Sequence, residues 1–465
     1  MKGTVEVEFP EKFEIRMKNI LGDEFDDFRR CILEGDNVRS LRVNTKKISV
    51  DDFLAVSPYS MEKIPYNDDG FYLKDEVRMG GEVCHQAGMF YMQEPSAMIP
   101  VNSVDIKPDW KVMDVCAAPG GKTCQLSNRL SDKGLVISND IKFERCKALK
   151  ENTERLGLTN VMLFSDEVAS LSGEFDSYFD MILVDATCSG EGMFRKNANI
   201  MNYWSEKKVK LCSDIQNGLL DTVAHAVKGG GMLVYSTCTY SVEENEEIVS
   251  SFLDAHNEFS LIPLSERVRP YLAPGIMIND RYDFSLTGRF YPHKHPGEGQ
   301  YVAVMRKKED GVLPSVNEAK DKTRDYDRED VLRFLESVGI SISPERIFVK
   351  GNSVWIRPET VLSMKKHVIS HGVFVGELKD GIVTPAHPFF MAFGCDMTNR
   401  IEFDIDDDRL VKYLRGENIR YPAREGYGVI TVSGCVIGGF LAGRGYLKNL
   451  YPANLTNKDI FEKDD

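Results

Sequence analysis

VMDVCAAPGGKT, residues 112–123, is the stretch whose reading decides the fold. An apolar run gives way to small residues and a Gly-Gly pair, and the chain then continues as GKTCQLSNRL, with apolar residues at helical spacing. This pattern predicts a buried strand, a tight turn and a helix beginning near Lys122. The small residues let backbone N–H groups approach a ligand, and the helix N-terminus favours a carboxylate there. A phosphate-binding G-x-x-x-x-G-K-T would need glycine where Cys116 stands, and G-x-G-x-x-G is absent, so neither nucleotide fingerprint fits. The loop Cys116, Ala117, Ala118, Pro119, Gly120, Gly121 and Lys122 is left as a candidate cofactor cradle.

Outward from this loop, strands and helices alternate. Apolar runs at 111–117, 134–139, 161–164, 179–185 and 231–238 are separated by amphipathic stretches, which predicts an α/β domain with a doubly covered parallel sheet. Ligands in such sheets bind beyond the carboxyl ends of the strands. Asp140 ends the second strand, where it could accept both hydroxyls of a ribose, and Asp166 ends the third, where adenine would lie.

The expected organisation is a small N-terminal α/β module (1–84), this catalytic domain (85–308), a charged linker (309–325), an α+β module (326–400) and a β-rich C-terminal module (401–465). The N-terminal module should open with one helical stretch over 11–33. Gly229–Gly231 should turn the chain into the strand that ends at Cys238. Residues 346–400 read as short strands and turns.

Two thiols fall at strand ends downstream of the loop: Cys188 in DATCSGEGMFRK and Cys238 in YSTCTYSVEENEE. A strand-end thiol near Lys122, Arg195 and Lys196 has the partial exposure and cationic surroundings that favour a thiolate. Asp185, at the end of a buried strand, is a candidate for a carboxyl kept partly protonated, able to donate to ring N3 of a cytosine. Methyl transfer to carbon 5 of a pyrimidine needs such a set, because that carbon becomes nucleophilic only after a thiolate has added to carbon 6.

Composition sets limits. The 465 residues are 42% hydrophobic and 28% charged, and no run approaches a membrane span. The first residues carry charges throughout and lack an apolar core, so no signal peptide is expected and the chain reads as cytoplasmic. No two of the ten cysteines have C-x-x-C spacing, so no metal site is expected. Net charge is −14, spread along the chain without a basic module. Any nucleic acid must therefore be held by local patches and by shape. Candidate phosphate contacts are Arg39, Arg42, Lys46, Lys47, Arg195, Lys196, His293, Lys294 and His295.

The motifs SLRVNT, HQAGMFYMQEPSAM, MDVCAAPGGKT, LVDATCSGEGMFRK, YSTCTYSVEENEEIV and RFYPHKHPGEGQYVAVM together resemble the Sun-type family of AdoMet-dependent RNA cytosine-5 methyltransferases. Within it they are most similar to the bacterial small-subunit ribosomal-RNA group RsmF (YebU), whose PUA-like tail resembles YLRGE through LKNLYP. The resemblance implies a Rossmann-like methyltransferase core, S-adenosyl-L-methionine as cofactor and RNA, 16S ribosomal RNA or the small subunit, as partner to a monomer. It implies Cys238 as the nucleophile on carbon 6, Cys188 as the thiol assisting release, and Asp185 at the base and the cofactor's methionine end. It places Cys116–Lys122 and Asp140 at the cofactor, with Asp166 at the adenine. The family motif reads D-A-P-C-S-G, whereas Thr187 stands here in place of proline, so a less rigid Cys188 loop is expected. Three other readings compete: the same chemistry on transfer RNA, a DNA cytosine-5 methyltransferase, and a catalytically impaired RNA-binding assembly factor. The DNA enzymes take their nucleophile from the earlier Pro-Cys motif, whose proline is missing here.

Overall fold

The computed structural model describes residues 8–74, 82–317, 319–360, 362, 364 and 368–456. The ends of the first and last expected modules, 1–7 and 457–465, lie outside these. Five parallel strands form the centre, in spatial order Val227–Thr237, Phe179–Asp185, Lys111–Asp114, Leu135–Asn139, Val161–Phe164. Successive residues feed opposite faces. Met113, Ile137, Ile182 and Leu233 enter one core, while Val112, Val136, Leu183 and Val234 enter the other. Such side chains each contribute roughly 1.5–3 kcal/mol on burial, which is why these strands are apolar throughout instead of alternating.

Strand order reverses between Lys111–Asp114 and Phe179–Asp185, and a crevice opens at that point beyond the carboxyl ends. Because all five strands run the same way, the loops after Asp114, Asn139, Phe164, Asp185 and Thr237 gather at one edge. The hairpin Gly288–Phe290 and Gln300–Lys307 closes one side antiparallel to Val227–Thr237. On the opposite side Val368–Ser370 pairs antiparallel with Val161–Phe164. The segment 326–400 therefore lends a strand to the catalytic sheet, a tie invisible in so short a run.

Three further expectations about local structure are corrected. The N-terminal helix is two, Glu11–Leu21 and Phe25–Glu34, because Gly22 takes φ +52° and a short 3-10 turn follows. The glycines 229–231 lie inside the strand Val227–Thr237 as a register shift between Val227 and Met232, with Gly230 at φ +75°, and so form a bulge and not an entry turn. Within 346–400, HPFFMAF forms the helix His387–Phe393, with Pro388 in the first turn where its missing N–H costs nothing.

Module boundaries also shift. The N-terminal sheet takes its fourth strand from Phe90–Met92, so a boundary after residue 84 cuts it. The segment 309–325 is no free tether. Ser315–Val316 pairs with Phe175–Asp176, and Asp321 accepts from Arg328 at 2.9 Å and Arg357 at 2.8 Å. The last sheet includes the hairpin Gly426–Val432 and Cys435–Gly443, turned at Ser433 (φ +49°) and Gly434 (φ +75°), the two left-handed positions a tight hairpin needs.

Candidate active site

The cofactor loop follows from its sequence. Gly120 takes φ +112°, and a Cβ there would lie 3.0 Å from Leu149 Cδ1, so glycine suits both the turn and the packing. The helix Gly121–Arg129 starts immediately after. Its first N–H groups have no partner within the helix and present donors for a carboxylate. Burial pushes the Cys116 thiol up to about 12, and the half-buried side chain packs against the core under the loop.

Asp140 is buried beyond the next strand. Its carboxylate accepts from Ala118 N at 3.3 Å and Lys142 N at 3.0 Å, and pairs with Arg145 at 3.1 Å. It braces the cofactor loop while keeping lone-pair capacity, since a carboxylate offers about four acceptor sites. Beside it stand Ile141 and Phe143, 63% and 58% exposed, an apolar surface that the sequence reading passed over. The Asp166 backbone N–H donates to Asn139 Oδ1 at 3.0 Å, and its carboxylate accepts from Glu167 N and Ser170 Oγ.

Asp185 lies at the switch point. Lys122 Nζ donates to its Oδ2 at 2.6 Å, Ser236 Oγ to its Oδ1 at 2.7 Å, and Gln300 Nε2 approaches Oδ1 at 3.4 Å. Burial alone would lower the Lys122 ammonium, but Asp185 overrides it and the group sits above its ordinary value. The sequence predicts a partly protonated carboxyl at Asp185; the structure places a lysine cation against that carboxylate.

Cys188 and Cys238 meet with their sulfurs 3.1 Å apart. The hydrogen bond to Cys238, with burial added, raises the Cys188 thiol well above its ordinary value, so Cys188 holds its proton; either sulfur can be the donor in the contact between them. Both loops are stitched together behind the thiols. Glu191 accepts from Trp204 Nε1, Thr239 Oγ1, Tyr240 N and Ser241 Oγ, at 2.6–2.9 Å. Glu244 accepts from Ser189 N at 2.8 Å and Gln216 Nε2 at 3.0 Å, and burial pushes it up to about 7. Glu246 forms a fully buried pair with Arg289, whose Nη1 donates to Tyr240 O at 2.8 Å. These glutamates were missed. For Glu244 and Glu246 the signal was an acidic run, EENEE, entering a helix whose Ile248, Val249, Phe252 and Leu253 are buried; Glu191 had no local signal.

The candidate phosphate contacts divide. Arg42 is buried, donating to Gln93 Oε1 at 3.0 Å and pairing with Asp69 at 3.8 Å. Lys47 donates to Ala87 O at 3.0 Å, and burial pushes it down to about 8. Arg195 is spent on Glu298 at 3.0 Å and Gly297 O at 2.5 Å. His293, its side chain only 6% exposed, contacts Glu24 at 3.2 Å. These four face inward, which corrects their assignment to phosphate. Lys46 reaches Asp132 at 3.5 Å and Lys294 reaches Glu24 at 2.8 Å. His295, half-buried, rests against Tyr271 and Phe290. Arg39 and Lys196 line a groove of about 310 Å³ with Gln93, Glu94 and Glu298.

Comparison with known proteins places the chain in a family. Residues 101–306 match the family described as 16S rRNA methyltransferase RsmB/F, 9–95 the N-terminal domain of 16S rRNA methyltransferase RsmF, and 400–457 the methyltransferase RsmF PUA domain. Ribosomal RNA small subunit methyltransferase F of Erwinia tasmaniensis is 30% identical over 449 residues, covering 91% of each chain. The Vibrio vulnificus protein of the same name is 30% identical over 483 residues, covering 98% of this chain and 99% of its own. Among solved structures, a methyltransferase homologue from Pyrococcus horikoshii superposes with TM-score 0.57 at 30% identity, over 65% of this chain and 96% of that one. NSun6 from the same organism, solved with SFG, an AdoMet analogue, gives 0.56 at 23% identity, over 66% of this chain and 100% of its own.

Proposed function

The chain belongs to the RsmF family of AdoMet-dependent 16S rRNA methyltransferases, and from that premise we propose that it methylates carbon 5 of a cytosine in 16S ribosomal RNA through a covalent bond from Cys238 to carbon 6. The observation that carries this reading is the 3.1 Å contact between the two sulfurs at the mouth of the switch-point crevice, beside the Lys122–Asp185 pair.

S-adenosyl-L-methionine, when bound, supplies an electrophilic methyl group. The chain's residues fit it: the Gly120 cradle and free helix N–H groups for its carboxylate, Asp140 for the ribose, Ile141 beside it for the flat base. The target cytosine must leave its stack to enter, at a cost of a few kcal/mol that is least in looped RNA. Cys188 donating to the Cys238 sulfur, with the Lys122 ammonium near enough to interact, would stabilise negative charge on that sulfur. Cys238 then forms an S–C bond to carbon 6 as the carbon 5–carbon 6 π bond breaks, and the displaced electron density is met by the Lys122 proton. Carbon 5 would take the methyl group as the methyl–sulfonium bond breaks, that bond's electron pair staying on the cofactor's sulfur as a neutral thioether. Loss of the carbon 5 proton to a base returns those electrons to the ring, the S–C bond breaks, and Cys238 leaves as thiolate. Cys188 is the neighbouring group placed to assist that release. Asp185 orients Lys122 and, through Ser236 and Gln300, ties the cytosine subsite to two more strands.

Labelled methyl transfer from AdoMet to naked 16S ribosomal RNA, small-subunit particles and transfer RNA tests the reading, with bisulfite sequencing to fix the atom. Wild type should label the ribosomal substrate. Cys238→Ala should abolish both label and a denaturation-resistant protein–RNA adduct, and Cys188→Ala should accumulate that adduct. Label surviving in Cys238→Ala would remove the covalent route, and label confined to transfer RNA would move the substrate.

A further inference from the structure

Three side chains grip the backbone on either side of Cys188. Gln216 Nε2 donates to Thr187 O at 3.0 Å, Lys208 Nζ donates to Ser189 O at 3.1 Å, and Glu244 Oε2 accepts from Ser189 N at 2.8 Å. Gln216 and Lys208 stand a little over two turns apart on the helix Glu206–Val223, which covers the sheet behind the loop. Gln216 Nε2 also donates to Glu244 Oε2 at 3.0 Å, so two of the three anchors are joined. The loop they hold, Ala186–Gly190, is neither helix nor strand, and Gly190 takes φ +80°. Thr187 has no ring to fix its φ, as proline would. Rotation about Thr187 or Cys188 would therefore swing the Cys188 sulfur away from Cys238 unless something outside the loop opposes it.

We propose that Gln216, joined to Glu244, is a positioning residue for the release half of the reaction: by holding the Thr187 carbonyl it keeps the Cys188 sulfur against Cys238, doing with hydrogen bonds what a proline at 187 would do covalently. The inference rests on the covalent reading above. Gln216 touches neither Asp185 nor the cofactor loop in any recorded hydrogen bond, so its loss should leave addition and methyl transfer in place and slow only the step that needs Cys188. Thr187 itself is exposed, so its carbonyl finds water when Gln216 is gone. The effect on the loop is then about one hydrogen bond, on the order of a tenfold change in the population of the held conformation.

The test compares wild type, Gln216→Leu, Gln216→Leu with Thr187→Pro, Lys208→Met and Cys188→Ala on 16S ribosomal RNA transcribed in vitro. It reads turnover, KM for AdoMet and the protein–RNA adduct that survives denaturation. Gln216→Leu should form adduct at the wild-type rate, accumulate it and turn over about tenfold more slowly, with KM for AdoMet unchanged, and Thr187→Pro should restore turnover. Wild-type turnover in Gln216→Leu overturns the proposal. So does a parallel fall in adduct formation and turnover that Thr187→Pro does not relieve, which would make Gln216 a folding residue only. Should Gln216→Leu fail to fold, Lys208→Met reaches the same loop from the same helix. There a roughly threefold fall with accumulated adduct supports the proposal, and unchanged release overturns it. Absence of adduct in Cys188→Ala would instead refute the covalent reading itself, whatever Gln216 does.

Discussion

Arg289→Met should be among the most damaging single changes outside the reacting groups. Glu246 and Arg289 have side chains only 0% and 2% exposed. Arg289 Nε donates to Glu246 Oε1 at 2.7 Å, Nη2 donates to Oε2, and Nη1 donates to Tyr240 O at 2.8 Å. Methionine fills similar space but leaves Glu246 as a buried charge with Ile276 N, at 2.9 Å, as its one remaining recorded donor. Breaking a buried pair from one side costs about 3–5 kcal/mol, most of it from the orphaned charge. Glu246→Met in the same background removes that charge. What remains is the unmade bonds of Tyr240 O and Ile276 N, about 1–3 kcal/mol each at most and less where water reaches them. The double mutant should therefore be more stable than Arg289→Met. Urea denaturation gives the ordering, and hydrogen exchange across 235–249 localises it to the strand and helix around Cys238 instead of to the C-terminal modules. Because Tyr240 lies two residues from Cys238, kcat should fall in Arg289→Met while KM for AdoMet holds. An Arg289→Met stability within about 1 kcal/mol of wild type, or a double mutant less stable than the single, would refute the reasoning.

Gly120→Ala forces a side chain into the left-handed region and against Leu149. It should weaken AdoMet binding in calorimetry and cost roughly 1–2 kcal/mol of stability. Burial holds His85 and His387 down to about 3 and His371 to about 4. In the unfolded chain each takes up a proton below about 6.5, so this contribution to stability is present above 6.5 and is lost as pH falls toward 4. His387→Asn should flatten that loss in urea midpoints taken from pH 7.5 to 5. Asp114 and Glu244, both raised by burial to about 7, act in the opposite sense: their contribution is full below the ordinary carboxylate range and is lost as pH rises through 7. Lys196→Ala should lower RNA affinity and reduce the salt slope by somewhat under one unit. Arg195→Met should act on stability first, since its guanidinium is already paired with Glu298.

The parallel, doubly covered sheet and the edge where the candidate site residues gather were legible because both depend on residues that cannot sit elsewhere: apolar runs buried on two faces, and glycines at a turn that a Cβ would fill; the spatial order of the strands was not. Partners that arrive from distant sequence were not legible. Arg42 stands between Leu41 and Val43 in a short strand, and alternation alone would point it to solvent. Asp69 and Gln93, from other parts of the N-terminal module, close over it. Asp185 read as an isolated strand-end acid because nothing local announces Lys122, which arrives from the first turn of another helix. The Gly229–Gly231 bulge was misplaced by the same cause. Its position is set by register against Phe179–Asp185, which a local pattern does not contain.

An acidic chain that handles a polyanion looks contradictory only while its carboxylates are counted as surface charge. Around the thiols they are not. Glu191 takes four donors from its own and neighbouring loops, and Glu246 is matched by Arg289. Glu298 is matched by Arg195, Asp140 by Arg145 and Asp185 by Lys122. Burial raises Glu244 to about 7, so near neutral pH it carries only part of a full negative charge. The same pairing withdraws Arg42, Arg195 and His293 from the surface, and Lys47 is partly withdrawn by its bond to Ala87 O. Net charge thus describes neither the crevice nor the groove that Arg39 and Lys196 line. The field met by an incoming phosphate is set by the exposed cations nearest to it, screened beyond about 8–10 Å. Discrimination between RNAs must then come mostly from shape, read by modules that are locked in place. The strand Val368–Ser370 ties the α+β module to the catalytic sheet, and Cys435 Sγ meets Lys47 O at 3.5 Å where the last sheet touches the first module. Recognition of a folded RNA by shape would require the parts of this surface to hold fixed positions, and these inter-module ties supply that fixity as well as stability.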